Sequence, residues 1–255
     1  MQIAVRAEYP DKEPSRWVDV LKQYQTIGNV ELSFYLPEPF LQTVHIEDVV
    51  VPVRTLDFSV SSVHMAHARI TEPAVFISVL EKTIKIAKEL NCNLIVAHPS
   101  RGRLVDVRDF ITQEVDPLLA KNQVYLCWET FSGRFRFLSG IEEIVNFCQD
   151  EKRHRACYDF SHTQNEQEKI LGDIETYLPW IEVFHVSNRI ISQRLQHLPI
   201  FYKSPEGHKL DLDFLQIFEF LKNKHFGGNV TLEYLPQFQQ FLGPDAQYLS
   251  EEFCD

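Results

Sequence analysis

The chain has 255 residues, 44% of them hydrophobic, enough for one barrel-sized domain that needs no staples. A formal net charge of −11 disfavours long-range attraction to nucleic acid or to an anionic membrane. Five cysteines, odd in number and without close pairs, argue against a disulfide framework and for a reducing, cytoplasmic setting. The N-terminus starts directly as a strand, so no signal peptide is expected. No apolar run approaches the ~18 residues that span a bilayer.

Strand and helix patterns then alternate along the whole chain. Residues 2–6 read as a strand, 15–24 as a helix and 29–34 as a second strand. Residues 37–55 carry three prolines and read as a loop-rich crossover before a third strand at 56–63. A helix over 73–90 has Val75, Val79, Ile84 and Ala87 at helical spacing. Strand four follows at 93–97, a helix at 107–121, strand five at 124–128 and a helix at 140–149. Strand six is 156–159, then a helix at 166–177, strand seven at 181–185, a helix at 212–224 and strand eight at 229–235. A tail completes the chain. Continuous apolar runs bounded by turns are parallel strands buried on both faces. Eight of them, joined by helices or crossovers, predict a single (β/α)8 TIM barrel over residues 1–255.

Five successive strands end in or beside a side chain that binds metals: His98, Glu129, Asp159, His185 and Glu233. Alone, a strand-end glutamate is as readily a strand cap or an arginine partner as a ligand. In a closed parallel barrel all these ends meet at one mouth. Such a mouth is a divalent-metal site by ligand chemistry. Glu129 and Glu233, on strands five and eight, could also exchange protons with a substrate between them. Asp159 offers a hard oxygen. His162, three residues on, could bind a second ion or a substrate hydroxyl. His185 suits Zn, Mn, Co or Fe. Arg189 could hold a phosphate, carboxylate or hydroxyl, with Asn188 beside it. His64, His98 and His208 are further candidates for a second ion or for substrate, and His67 a weaker one. His45, His154, His197 and His225 read as peripheral. Nine glycines, with no Gly-x-Gly-x-x-Gly and no Walker loop, weigh against a nucleotide cradle.

These residues give the chain a resemblance to the xylose isomerase-like TIM barrels, which include sugar isomerases and epimerases and the type-two apurinic endonucleases. In the epimerase branch one divalent ion is held by a strand-five Glu, a strand-six Asp, a strand-seven His and a strand-eight Glu. The resemblance places those roles on Glu129, Asp159, His185 and Glu233, and the branch's following His on His162. The endonuclease branch implies roles for His64 and for His98, which precedes Pro99. Two departures stand out. No Asp lies between His185 and Asp211, so the Asp-x-His pair of a third ion site is missing. The segment Val186-Ser187-Asn188-Arg189 also lacks the Glu usual in epimerases.

Two functions follow as expectations. The first is isomerisation or epimerisation of a small sugar, sugar phosphate or sugar acid by proton transfer through an ene-diolate, with one divalent ion and a second conceivable. Mn, Zn, Co, Mg and Fe all fit the ligands. The alternative is metal-dependent phosphodiester hydrolysis of the apurinic endonuclease type. That chemistry wants several ions and a basic surface, which the net charge of −11 opposes. Of Arg101, Arg103, Arg108, Arg134, Arg136 and Arg189, at most a few should meet a small substrate and none should form a nucleic-acid track. The expected partner is a polyhydroxyl small molecule, with no membrane, and homo-oligomerisation is left open.

Overall fold

The computed structural model of the protein describes residues 1–131 and 136–254. Eight parallel strands close a barrel: β1 (Gln2–Glu8), β2 (Asn29–Ser33), β3 (Ser59–His64), β4 (Leu94–Ala97), β5 (Tyr125–Glu129), β6 (His154–Asp159), β7 (Ile181–Val186) and β10 (Asn229–Leu232). Each pairs with its neighbour in sequence, and β10 closes the ring by pairing Gln2 with Asn229 and Val5 with Leu232. The outward faces are packed by helices, so Leu94, Ile95, Val96 and Ala97 of β4 are all buried. Period-two alternation sends the remaining side chains to the barrel axis. There the interior is polar: Glu31, Ser62, His64, Glu129, Asp159, His185 and Thr231 are all fully buried.

Between the strands lie α1 (Trp17–Lys22), α2 (Pro37–Gln42), α3 (Ile46–Thr55), α4 (Pro73–Glu89), α5 (Leu104–Phe110), α6 (Asp116–Asn122), α7 (Ile141–Asp150), α8 (Gln167–Tyr177) and α9 (Phe214–Asn223). The expected loop at 37–55 is two helices instead. Pro37 sits in the first turn of α2, where its missing N–H costs nothing. In α3 the residues Val49, Val50 and Val53 form one buried face. The predicted third strand starts later than residue 56, because Leu56 caps that helix and Asp57 at φ +58° turns the chain before Ser59. The predicted helix at 107–121 is α5 and α6 joined by a π-helical turn, Ile111–Val115. The tail is not loose. It forms α10 (Leu242–Phe253), packed on β1 and α9, with the Phe218 and Phe253 rings 5.4 Å apart.

One insertion departs from the repeat. After β7 the chain forms an antiparallel hairpin, β8 (Asn188–Ile190) and β9 (Leu195–Leu198), before reaching α9. This hairpin folds over the mouth. Cys92, Cys127, Cys148 and Cys157 are buried free thiols, and no helix among the described residues is long and apolar enough to cross a membrane.

Candidate metal centre

Each of four side chains at the C-terminal mouth has one polar atom fastened. Asp159 Oδ1 accepts from Ser161 N at 2.6 Å, Ser161 Oγ at 2.9 Å and His162 N at 2.9 Å. The Asp-Phe-Ser-His turn therefore holds the carboxylate by its own backbone. His185 Nε2 lies 3.1 Å from Glu31 Oε2, a carboxylate that also accepts from Ser62 Oγ at 2.5 Å. That partner keeps a proton on Nε2, so Nδ1 is the nitrogen available to an ion. Glu129 Oε2 meets His64 Nε2 at 3.1 Å. Glu233 Oε1 is ion-paired with Arg6 at the end of β1.

Asp159 Oδ2, His185 Nδ1 and Glu233 Oε2 are buried without a hydrogen bond, and Glu129 Oε1 faces only the His162 imidazole. Around His185 Nδ1 stand Glu233 Oε2 at 3.3 Å, Glu129 Oε2 at 3.6 Å and Asp159 Oδ2 at 3.9 Å. Carboxylates crowded together at a buried site are costly unless positive charge, a proton or a cation, lies among them. Ligands ~2.1 Å from one tetrahedral ion sit roughly 3.4 Å apart. Glu129, Asp159 and His185 meet that requirement as a group, with ligand atoms all within 4.8 Å of one another. Glu233 lies beside it, drawn toward Arg6. The donor set fits a divalent ion.

Two more donor sets flank this one. His64, His67 and His98 form one, and Asp159, His162 and His197 the other. Glu129 links the first to the centre, because His98 Nε2 approaches its Oε2 at 2.9 Å. His162 Nδ1 lies 2.9 Å from Glu129 Oε1, and its Nε2 lies 3.2 Å from His197 Nε2. The Nδ1 of His64 faces Met65 O at 3.1 Å, which presents its Nε2 inward.

Charges follow from this crowding. Burial alone would raise the Glu129 carboxyl, but His98 and His185 outweigh it and hold it well below the carboxylate range. Burial likewise opposes ionisation of Glu233, and Arg6, then His197 and His185, overcome it. Burial lowers His98 to about 4 and His67 to about 2, so both are neutral, as ligands must be. His162 goes the other way: against burial, Asp159 and Glu129 push it up to about 9. His185 is also raised against burial, by Cys157, Glu31 and Glu129.

Several expectations need correcting. Asn188 and Arg189 line no part of the mouth cavity. Asn188 Nδ2 donates to Leu212 O at 2.9 Å and Ile200 O at 3.3 Å, and the Arg189 guanidinium, 1% exposed, donates to Phe160 O and Asn165 O. Both residues tie the hairpin to the barrel. His208 is exposed and lines no part of the mouth cavity. His197, read as peripheral, stands in the site because the hairpin folds back over β6. It also lies 3.7 Å from Glu233 Oε1. Glu31 and Arg6 were not picked out. Their only sequence signal is a charge inside a strand-like run. His154 lies away from the mouth, between Trp128 and Asp116. Arg103 and Arg108 pair with Asp106 and Asp150, and Arg134 lies outside the described residues.

The mouth cavity measures about 500 Å³ and is lined by Arg6, Tyr35, His67, His98, Phe131 and Glu233, among others. That is room for a small molecule. The sequence matches the xylose isomerase-like TIM barrel family over residues 57–248, most of the chain. The chain belongs to this family. No curated protein matches it. Among solved structures, it superposes on the 3-keto-D-glucoside 4-epimerase of E. coli with a TM-score of 0.72 at 14% identity, covering 98% of this chain and 99% of that one. A xylose isomerase-like TIM barrel protein from Mycobacterium smegmatis, in complex with magnesium, gives 0.70 at 13% identity, covering 99% and 96%. An AP endonuclease of family 2 from Brucella melitensis gives 0.68 at 13% identity, covering 99% of each chain. At these identities the likeness establishes the fold of the barrel. Its neighbours thus include both a sugar epimerase and an endonuclease-family protein.

Proposed function

We propose that this family member is a divalent-metal-dependent isomerase or epimerase of a small sugar, sugar phosphate or sugar acid. One observation carries the reading. Glu233 Oε2, Glu129 Oε2 and Asp159 Oδ2 stand 3.3, 3.6 and 3.9 Å from His185 Nδ1, and the Glu233, Asp159 and His185 atoms are buried without a hydrogen bond. A bound divalent ion would supply Lewis-acid polarisation of adjacent substrate oxygens. The chain's residues do the rest. Glu129 and Glu233, both held ionised, start as proton acceptors on either side of the substrate carbon. Arg6 keeps Glu233 in place and puts a fixed positive charge beside the reacting oxygens. His162, carrying its proton at neutral pH, can donate a hydrogen bond to a substrate hydroxyl. Phe131, its ring 3.9 Å from that of His162, keeps water from that side.

The test is solvent exchange. A ketose substrate turned over in deuterated water should gain deuterium at the carbon beside its carbonyl. Glu129→Gln and Glu233→Gln should each abolish turnover with metal in excess, the loss falling mainly on kcat. Turnover that survives both substitutions would remove the glutamates from the mechanism.

A second reading, metal-dependent phosphodiester hydrolysis, is favoured by the two flanking donor sets, which would allow more than one ion. Metal analysis separates the two: one ion per chain supports the isomerase, and two or three, with metal-dependent cleavage of abasic duplex DNA, support the hydrolase.

A further inference from the structure

Beside His67 and His98 the mouth opens into a side chamber of about 420 Å³. Its charged lining is basic throughout: Arg69, Arg101 and Arg136 join the two imidazoles, and no Asp or Glu among the described residues lines it. In a chain of net charge −11 that is a local reversal of sign. Arg101 and Arg136 face each other across an antiparallel bridge. Such a pair projects both side chains to one side of the bridge, where like charges directly opposite destabilise it. Neither arginine has a carboxylate in ion-pair reach among the described residues, whereas nearby Arg103 and Arg108 each have one. Arg136 is held ready. Its Nη1 donates to Pro99 O at 2.5 Å, and its guanidinium lies 3.9 Å over the Phe131 ring. Burial lowers this guanidinium, Glu129 raises it, and the Arg101 charge lowers it again. Arg69 closes the outer rim, with Glu72 at 3.3 Å.

Two guanidinium forks aimed into one chamber, with no internal counter-ion, match an anion with several acceptor oxygens. A single carboxylate would satisfy only one fork. The chamber shares His67 and His98 with the mouth cavity, so a group bound there would sit beside the donor sets and outside them. We propose that the chamber made by Arg101, Arg136 and Arg69 binds the phosphoryl group of the substrate, so that the enzyme acts on a sugar phosphate. This narrows the isomerase or epimerase reading to one substrate class and rests on it.

Inorganic phosphate is the probe, titrated calorimetrically into the full chain after dialysis against chelator, so that no ion can hold it. Saturable binding is expected. Arg101→Gln should weaken it at least tenfold, and the Arg101→Gln/Arg136→Gln pair should abolish it. Arg101 is exposed and makes no side-chain hydrogen bond that folding would miss, so the melting midpoint of its variant should not move. Arg103→Gln, outside the chamber, should bind phosphate like the parent. Phosphate binding that is unchanged in Arg101→Gln, that is absent without metal, or that is weaker than acetate binding would overturn the inference. Solvent exchange keeps the two proposals apart. Deuterium uptake by ketoses without phosphate binding leaves the reaction standing and removes the chamber. Phosphate held by the arginines, with no uptake into any ketose or ketose phosphate, does the reverse.

Discussion

Glu31 decides which nitrogen of His185 can serve the site. Its carboxylate can only accept, so it fixes the proton on Nε2 and leaves Nδ1 open toward Glu129, Asp159 and Glu233. Gln at position 31 could donate instead and favour the opposite tautomer. Glu31→Gln should therefore weaken metal binding roughly 10- to 100-fold, read by competition with a chromophoric chelator. Unchanged affinity would mean that His185 is oriented by packing alone. A second expectation concerns protons. His162, raised to about 9, carries a proton at pH 7 in the metal-free protein, and His185 is raised in the same direction. A ligating imidazole must be neutral, so metal uptake releases protons and affinity rises with pH. The sign for metal-free stability is opposite. A raised imidazole stabilises the fold below its ordinary range near 6.5, and the His162 contribution is lost as pH rises through about 9. Calorimetry in two buffers of different ionisation enthalpy reads the protons released, and zero release would contradict the assignment. The strand-end donors are legible in the sequence because an apolar run that stops at Glu129, Asp159 or His185 is a local pattern. Glu31 and Arg6 are not, since a polar residue within a strand reads the same whether it points to solvent or to a barrel axis. His197 is less legible still, as only the tertiary path of the hairpin brings it in.

The β8–β9 hairpin shows how an element outside the barrel repeat completes the mouth. Its sequence, Asn188 to Leu198, has no clear alternation, and the three-residue β8 is too short to register by periodicity. What holds it is side-chain hydrogen bonding to backbone. Asn188 Oδ1 accepts from Arg189 N at 2.9 Å and Leu212 N at 3.3 Å, while its Nδ2 serves two carbonyls. This explains why a strand-end Asn-Arg pair that looked like a substrate grip is structural: every donor and acceptor on Asn188 is engaged. Asn188→Ala would leave buried carbonyls unpaired, each costing about 1–3 kcal/mol. We expect a loss of roughly 2–4 kcal/mol, seen as a lower denaturation midpoint at unchanged m-value. His197 would lose its anchorage with the hairpin, so the contacts of the Asp159, His162 and His197 set should loosen, while the central set on β5, β6 and β7 persists. The crossover helices α2 and α3 were hidden for a different reason. Proline counts against a helix interior yet favours its first turn, and sequence alone does not say which position Pro37 or Pro52 occupies.

At the scale of the molecule, closing β1 onto β10 forces eight strand ends together, and the inner half of this barrel is charged rather than apolar. Glu31, Glu129, Asp159 and Glu233 meet there with Arg6 as the permanent cation, and imidazolium charge makes up part of the balance. Such a cluster is costly to bury unless it is fully paired. A divalent ion held by Glu129, Asp159, His185 and Glu233 would offset their crowded negative charge and should therefore act as a folding ligand. At a hundredfold excess over Kd, a ligand that binds only the native state adds about 2.7 kcal/mol. For a chain of this size that corresponds to a rise of roughly 5–10 °C in Tm. Stripping the metal with a chelator should lower Tm by that amount, and adding it back should restore it. The increment should shrink strongly in Glu129→Gln, which removes the carboxylate shared between the central and the flanking donor sets. In Asn188→Ala both the stripped and the loaded protein should melt lower while the gap between them stays close to that of the parent, because the central ligands remain on rigid strands. A gap that closes equally in both variants would show that the ion's stabilisation passes through the hairpin and not through the strand-end ligands.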